Sequence, residues 1–166
     1  MARQPRTLEE LFLANLKDMY FAEKRILAAL PKMAKAAQSE ELKVALEKHR
    51  GETEAQVGRL EDVFEAMDKK PTGKTCPAMI GILDEGSEVI TDFRGSPALD
   101  AGLIGAARSV EHYEISRYET LCILAQELEL KDAVSLLEEN LGEEKATDAT
   151  LCELAKSVLS AEAKAA

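Results

Sequence analysis

Glu23 and Glu114 carry the same side chain at a fixed separation, and so do Glu52 and Glu143, since 114 − 23 and 143 − 52 both give 91. All four stand inside hydrophobic patterns of helical period. A carboxylate on an apolar helix face is rare unless it is paired, because a buried charge without a partner is costly. Two carboxylates about 4 Å apart repel by about 4 kcal/mol at an effective dielectric of about 20. A group of four must take up protons, hold cations or oppose folding. Lys24 and Lys145 follow glutamates directly and so point away from them around the helix. Carboxylate oxygens suit hard divalent cations, and iron or manganese would add redox chemistry.

The elements that must position these groups are long helices. The first begins at Thr7, an N-cap with Glu10 three residues on, and its stripe runs through Leu8, Phe12, Met19, Ile26, Leu30 and Met33. Glu23 falls in that stripe, and Pro31 predicts a kink. Ser39 opens a second helix with Leu42, Leu46, Leu60, Val63 and Met67 on one face. His49, Thr53 and Gln56 are on its core side and Glu52 is at the flank. A linker, Asp68–Pro77, leads to a shorter helix from about Ala78 to Phe93, and Arg94–Pro97 breaks it. The third long helix carries Leu99, Leu103, Val110, Glu114, Leu121, Leu124 and Leu128 on its stripe. The fourth starts at about Asp132 and carries Val134, Leu137, Leu141, Leu151 and Val158, with Glu144 central and Glu143 at the flank.

The offset of the glutamates extends to the apolar positions. Leu8 maps to Leu99, Phe12 to Leu103, Leu46 to Leu137 and Leu60 to Leu151. This is an internal repeat of a helix pair. Two such pairs bury their stripes only against each other, giving an all-α four-helix bundle whose one long crossover carries a short extra helix, the ferritin-like arrangement. The expected organisation is one domain over 1–166, with a helix pair at about 7–67, a crossover at 68–97 and a second pair at about 98–159. The repeat then delivers one carboxylate per helix to a shared pseudo-twofold site: Glu23, Glu52, Glu114 and Glu143, a di-iron or di-manganese pattern. His49, within a turn of Glu52, is either a terminal ligand or a hydrogen-bonded core histidine. His112 reads as surface. Tyr20, Tyr113 and Tyr118 either pack or donate to the ligands, and Glu85 and Glu88 either cap the site or form a solvated face.

Composition agrees with the helices and limits the partners. Aromatic residues are 4% of the chain and Trp is absent, while Ala, Leu, Glu and Lys dominate, which favours helix over strand. A net charge of −10 repels nucleic-acid backbones and anionic membranes and attracts cations. No apolar run approaches the ~20 residues of a membrane span, and the N-terminal segment "MARQPRTLEE" has no apolar core of a signal peptide. Cys76, Cys122 and Cys152 form no CxxC and suit reduced thiols. The expectation is a cytoplasmic protein, with Cys76 in the linker as the one thiol to test for reactivity.

The segments "AEKRIL", "HRGETEAQ", "EGSEVI", "VEHYEISRYETL" and "EEKATD" resemble, in order and spacing, the YciE/YciF family of bacterial stress-associated ferritin-like proteins. The resemblance covers about Thr7 to Val158 and implies a four-helix ferritin-like domain, a homodimer and a link to osmotic or oxidative stress. It implies metal ligands at Glu23, Glu52, Glu114 and Glu143. The wider superfamily's Glu-x-x-His would put histidines at positions 55 and 146, which here are Ala55 and Ala146. A carboxylate-rich site, with His49 from the preceding turn, is the resulting expectation: two irons per chain, or manganese, oxidising ferrous iron or consuming peroxide. The alternative is a non-catalytic structural or partner-binding dimer whose site is vestigial.

Overall fold

A computed structural model describes residues 6–165, with side chains through residue 158; residues 1–5 of the N-terminal segment read above lie outside the described part. Five α-helices follow one another: α1 Leu8–Ala36, α2 Glu40–Ala66, α3 Pro77–Asp92, α4 Leu99–Glu127 and α5 Lys131–Ala165. Helix starts follow the local chemistry. Thr7 accepts from the Glu10 amide at 3.1 Å while the Thr7 amide donates to Glu10 Oε2 at 2.8 Å, a reciprocal capping box. Ser39 Oγ accepts from the Leu42 amide at the start of α2. α1 runs through Pro31 without terminating.

The helices pair as the repeat predicts. α1 packs on α2 and α4 on α5, and contacts of α2 with α5 and of α1 with α4 close the bundle. Within the crossover, α3 lies against α4 and α1. The linker before it is pinned to α1, where the Lys74 amide donates to the Lys17 carbonyl at 3.0 Å and Lys74 Nζ pairs with Asp18. The architecture is therefore an all-α, ferritin-like four-helix bundle with a crossover helix.

Two apolar clusters fill the bundle, one toward each end. The first contains Ile26, Leu30, Leu42, Leu46, Leu103, Ala107, Val110 and Leu151. The second contains Phe12, Leu16, Met19, Leu60, Val63, Phe64, Leu121 and Leu137. On every long helix, the residues between these two sets are polar and buried: Glu23 on α1; His49, Thr53 and Gln56 on α2; Glu111 and Glu114 on α4; Asn140, Glu144 and Thr147 on α5. A slab of polar side chains thus lies between two dry layers.

Candidate metal centre

Each carboxylate of the slab arrives on a stripe that is otherwise apolar. Glu23, Glu114 and Glu144 have no exposed surface, Glu111 has 1% and His49 has 2%. One ligand-type atom from each of His49, Glu111, Glu114 and Glu144 lies within 4.8 Å of the others. His49 Nε2 is 3.2 Å from Glu111 Oε1 and 3.9 Å from Glu144 Oε2. Neither approach is aligned as a hydrogen bond, and His49 Nε2 remains unpartnered. Both oxygens of Glu114, both of Glu144, Glu111 Oε2 and Glu23 Oε2 are also buried without a partner. Buried polar atoms are nearly always satisfied. Among the described residues, six carboxylate oxygens and one imidazole nitrogen are thus left open in one slab, a group that could hold a metal ion.

The electrostatics agree. Burial, and then the charge of Glu144, push Glu23 up to about 8. Burial raises Glu111 to about 7, and burial together with Glu111 raises Glu144 to about 9. Glu114 is driven well above the carboxylate range by burial and by Glu23, Glu144 and Glu111. Among the described ion pairs, no Lys or Arg reaches these four acids. Their charge must be met by protons or by a cation.

The site therefore brings Glu23, His49 and Glu114 into one slab and leaves Glu52 and Glu143 at its edge. The reason is helical phase. Both flank positions lie one residue away from an inward-pointing one, Thr53 on α2 and Glu144 on α5. Glu143 is taken by Arg59, whose Nη1 and Nη2 donate to it at 2.9 and 2.8 Å, and by Gln56 Nε2 at 3.0 Å. Glu52 pairs with Lys48, and its other oxygen lies 4.0 Å from His49 Nδ1 and 3.5 Å from Thr147 Oγ1.

Glu111 is the residue the repeat could not reveal, because its mate one repeat earlier is Tyr20. Its signal was the spacing Glu111-x-x-Glu114, two acids one turn apart on one helix. Tyr118 donates to Glu23 Oε1 and accepts from Asn140 Nδ2 at 3.0 Å. Tyr20 instead donates to Glu61 at 2.7 Å, away from the slab. His112 is exposed and pairs with Asp148, and Glu85 and Glu88 are exposed. Cys76 is buried at the start of α3, its Sγ 2.9 Å from Tyr113 Oη, so the linker thiol is covered.

Comparison with known proteins places this geometry in a family. Residues 7–164 match the family described as a domain of unknown function, DUF892. Protein YciF of Escherichia coli K12 is 43% identical over 151 residues, covering 90% of this chain and 91% of YciF. The crystal structure of the E. coli stress protein YciF superposes with a TM-score of 0.90 at 41% identity, covering 94% of this chain and 99% of that one. YcfI of Rhodopseudomonas palustris, which carries a provisional designation as a structural protein, gives 0.87 at 42% identity over 91% and 96% of the two chains. A Xanthomonas campestris protein at 20% identity and a TM-score of 0.75, over 93% and 95% of the two chains, shares the fold. With its matching segment spanning nearly the whole sequence, the chain belongs to the DUF892 family.

Proposed function

We propose that the buried slab is a redox-active metal centre, taking iron first and manganese as the alternative, that serves to oxidise ferrous iron or consume peroxide in a cytoplasmic homodimer. The observation that carries this reading is the set of open oxygens on four fully buried carboxylates around one open imidazole nitrogen. Oxygen-rich donors with one nitrogen suit iron(II) and manganese(II) better than softer metals. His49, Glu111, Glu114 and Glu144 would hold the ion, with Glu23 beside them. An ion held there would supply an electron-transfer centre shielded from bulk water.

The chain's own residues prepare that role. The two apolar layers keep solvent out, which strengthens every charge interaction within the slab. For Nε2 of His49 to face the cradle with its lone pair, the proton must be on Nδ1, which faces Thr147 Oγ1 at 3.5 Å and Glu52 Oε2 at 4.0 Å. Thr147 Oγ1 would thereby accept from Nδ1 and orient the imidazole, itself donating to Glu52 Oε2 at 3.5 Å, the kind of outer partner that commonly sets the tautomer of a metal-bound histidine. Glu143 would serve as the counter-charge of Arg59. Tyr118 holds Glu23 in place through its hydroxyl.

The test is elemental analysis of protein purified without added metal or chelator, alongside a Glu111→Gln/Glu144→Gln double variant. Iron or manganese that is near-stoichiometric in the wild type and lost from the variant is the expected result. Ferrous oxidation and peroxide consumption are then assayed on the loaded protein. A wild type that stays empty after anaerobic ferrous loading would instead support a structural helical protein with a vestigial site.

A further inference from the structure

The repeat relates the two halves of the slab, and it allows each polar residue to be compared with its mate 91 positions away. His49 corresponds to Asn140, Glu144 to Thr53 and Glu111 to Tyr20, while Glu23 and Glu114 correspond to each other. On the His49 side the three positions offer an imidazole and two carboxylates. On the other side they offer an amide, a hydroxyl and a phenol.

Those neutral groups are also already used. Thr53 Oγ1 donates to the His49 carbonyl of its own helix at 2.9 Å. Tyr20 is turned to Glu61. Asn140 is engaged at both ends: Oδ1 accepts from Arg59 Nη1 at 2.8 Å, and Nδ2 donates to Tyr118 Oη, which in turn donates to Glu23 Oε1. Every donor in this chain points the same way, from the Arg59 guanidinium through Asn140 and Tyr118 to the Glu23 carboxylate. This chain occupies Glu23 Oε1, while the Arg59 charge at its head is already met by Glu139 and Glu143. Its remaining open acceptors are Glu23 Oε2 and Gln56 Oε1, whereas the His49 side leaves open His49 Nε2, Glu111 Oε2 and both oxygens of Glu114 and Glu144.

We propose that the centre is strongly asymmetric: the first cation is bound at the His49–Glu111–Glu114–Glu144 subsite, and the Glu23 half, closed by the Arg59–Asn140–Tyr118 donor chain, is not an equivalent second subsite. This rests on the metal-centre reading above and adds to it the order of loading. Near the Glu23 half a second divalent ion would meet one open oxygen of Glu23 and could only share Glu114 with the first ion, against three carboxylates and a histidine for the first.

The experiment is a manganese(II) titration of metal-free wild-type protein, followed by electron paramagnetic resonance. The expected spectrum up to one equivalent per chain is the hyperfine pattern of an isolated ion, with any second equivalent at least about tenfold weaker. His49→Gln is expected to weaken the first equivalent by about tenfold or more. Two ions entering together, with an exchange-coupled spectrum from the first additions, would overturn the asymmetry and leave the metal-centre reading standing. A first-equivalent affinity unchanged in His49→Gln would overturn the assigned subsite. Failure to bind either manganese(II) or iron(II) would remove the metal-centre reading and this inference with it.

Discussion

Glu144 holds two open oxygens at the centre of the slab, and it shows how a single side chain can oppose folding in one state and support it in another. In the metal-free protein its charge is desolvated and faces Glu111, so it holds a proton up to about pH 9. Glu144→Gln keeps the shape and removes the charge. At about pH 9, metal-free Glu144→Gln is expected to be more stable than wild type by about 1–3 kcal/mol, measured by chemical unfolding in chelator, because an uncompensated buried charge is relieved. With manganese(II) added the order should reverse, since the variant lacks a ligand. A metal-free variant less stable than wild type would show that Glu144 is satisfied by the protein alone. Glu23 and Glu114 were legible in the sequence because two independent signals coincide there, the repeat and the apolar stripe. Glu144 was legible from the stripe only, and the repeat drew attention to its neighbour Glu143 instead. Glu111 was not reached, because repeat symmetry detects what two copies share and this residue is where they differ.

Helix boundaries were legible wherever the signal is local. Thr7 and Ser39 cap α1 and α2 as their sequence contexts predict, and the crossover helix, expected from about Ala78 to Phe93, spans Pro77–Asp92. The joints between helices are long-range and left no such trace. Asp100, 5% exposed near the start of α4, accepts from the Gln38 and Ser39 amides at 2.7 Å each and so clamps the α1–α2 turn from 61 and 62 residues away. Asp100→Ala is expected to cost about 1–3 kcal/mol, because two half-buried amide hydrogen bonds lose a charged acceptor. Asp100→Asn should recover part of that cost, and an Ala variant within error of wild type in urea unfolding would refute the clamp. The seat of α3 is equally specific. A methyl group on Gly102 of α4 would lie 2.7 Å from Val89 Cγ1 of α3, closer than packed carbons approach. Gly102→Ala should therefore destabilise by about 1–3 kcal/mol despite its better helix propensity. Adding Val89→Ala makes room for the methyl, so the double variant should lose less than the sum of the two single ones. Strict additivity would place the strain elsewhere.

Across the whole molecule these buried acids set how stability responds to pH. Burial and mutual repulsion push this set of carboxyls up, Glu111 to about 7, Glu23 to about 8 and Glu144 to about 9, from an ordinary value of 4.5. Between those limits the folded metal-free protein retains protons that the unfolded chain has released. The unfolded state then binds fewer protons, so stability must fall as pH rises. The contribution is fully present below about pH 4.5 and is lost progressively through about pH 9. One retained proton corresponds to about 1.4 kcal/mol per pH unit, or roughly 3 °C in Tm for a chain of this size. A cation reverses the sign. It replaces the protons, so its binding releases them and strengthens with pH. Melting curves recorded from about pH 5 to about pH 9 should therefore diverge, with Tm falling in chelator and holding or rising in excess manganese(II). The net charge of −10 adds self-repulsion to both curves alike, so the gap between them isolates the slab. Two curves that fall in parallel would mean that the carboxylates keep their protons in the presence of the ion, and the slab would then be an acidic core without a metal function.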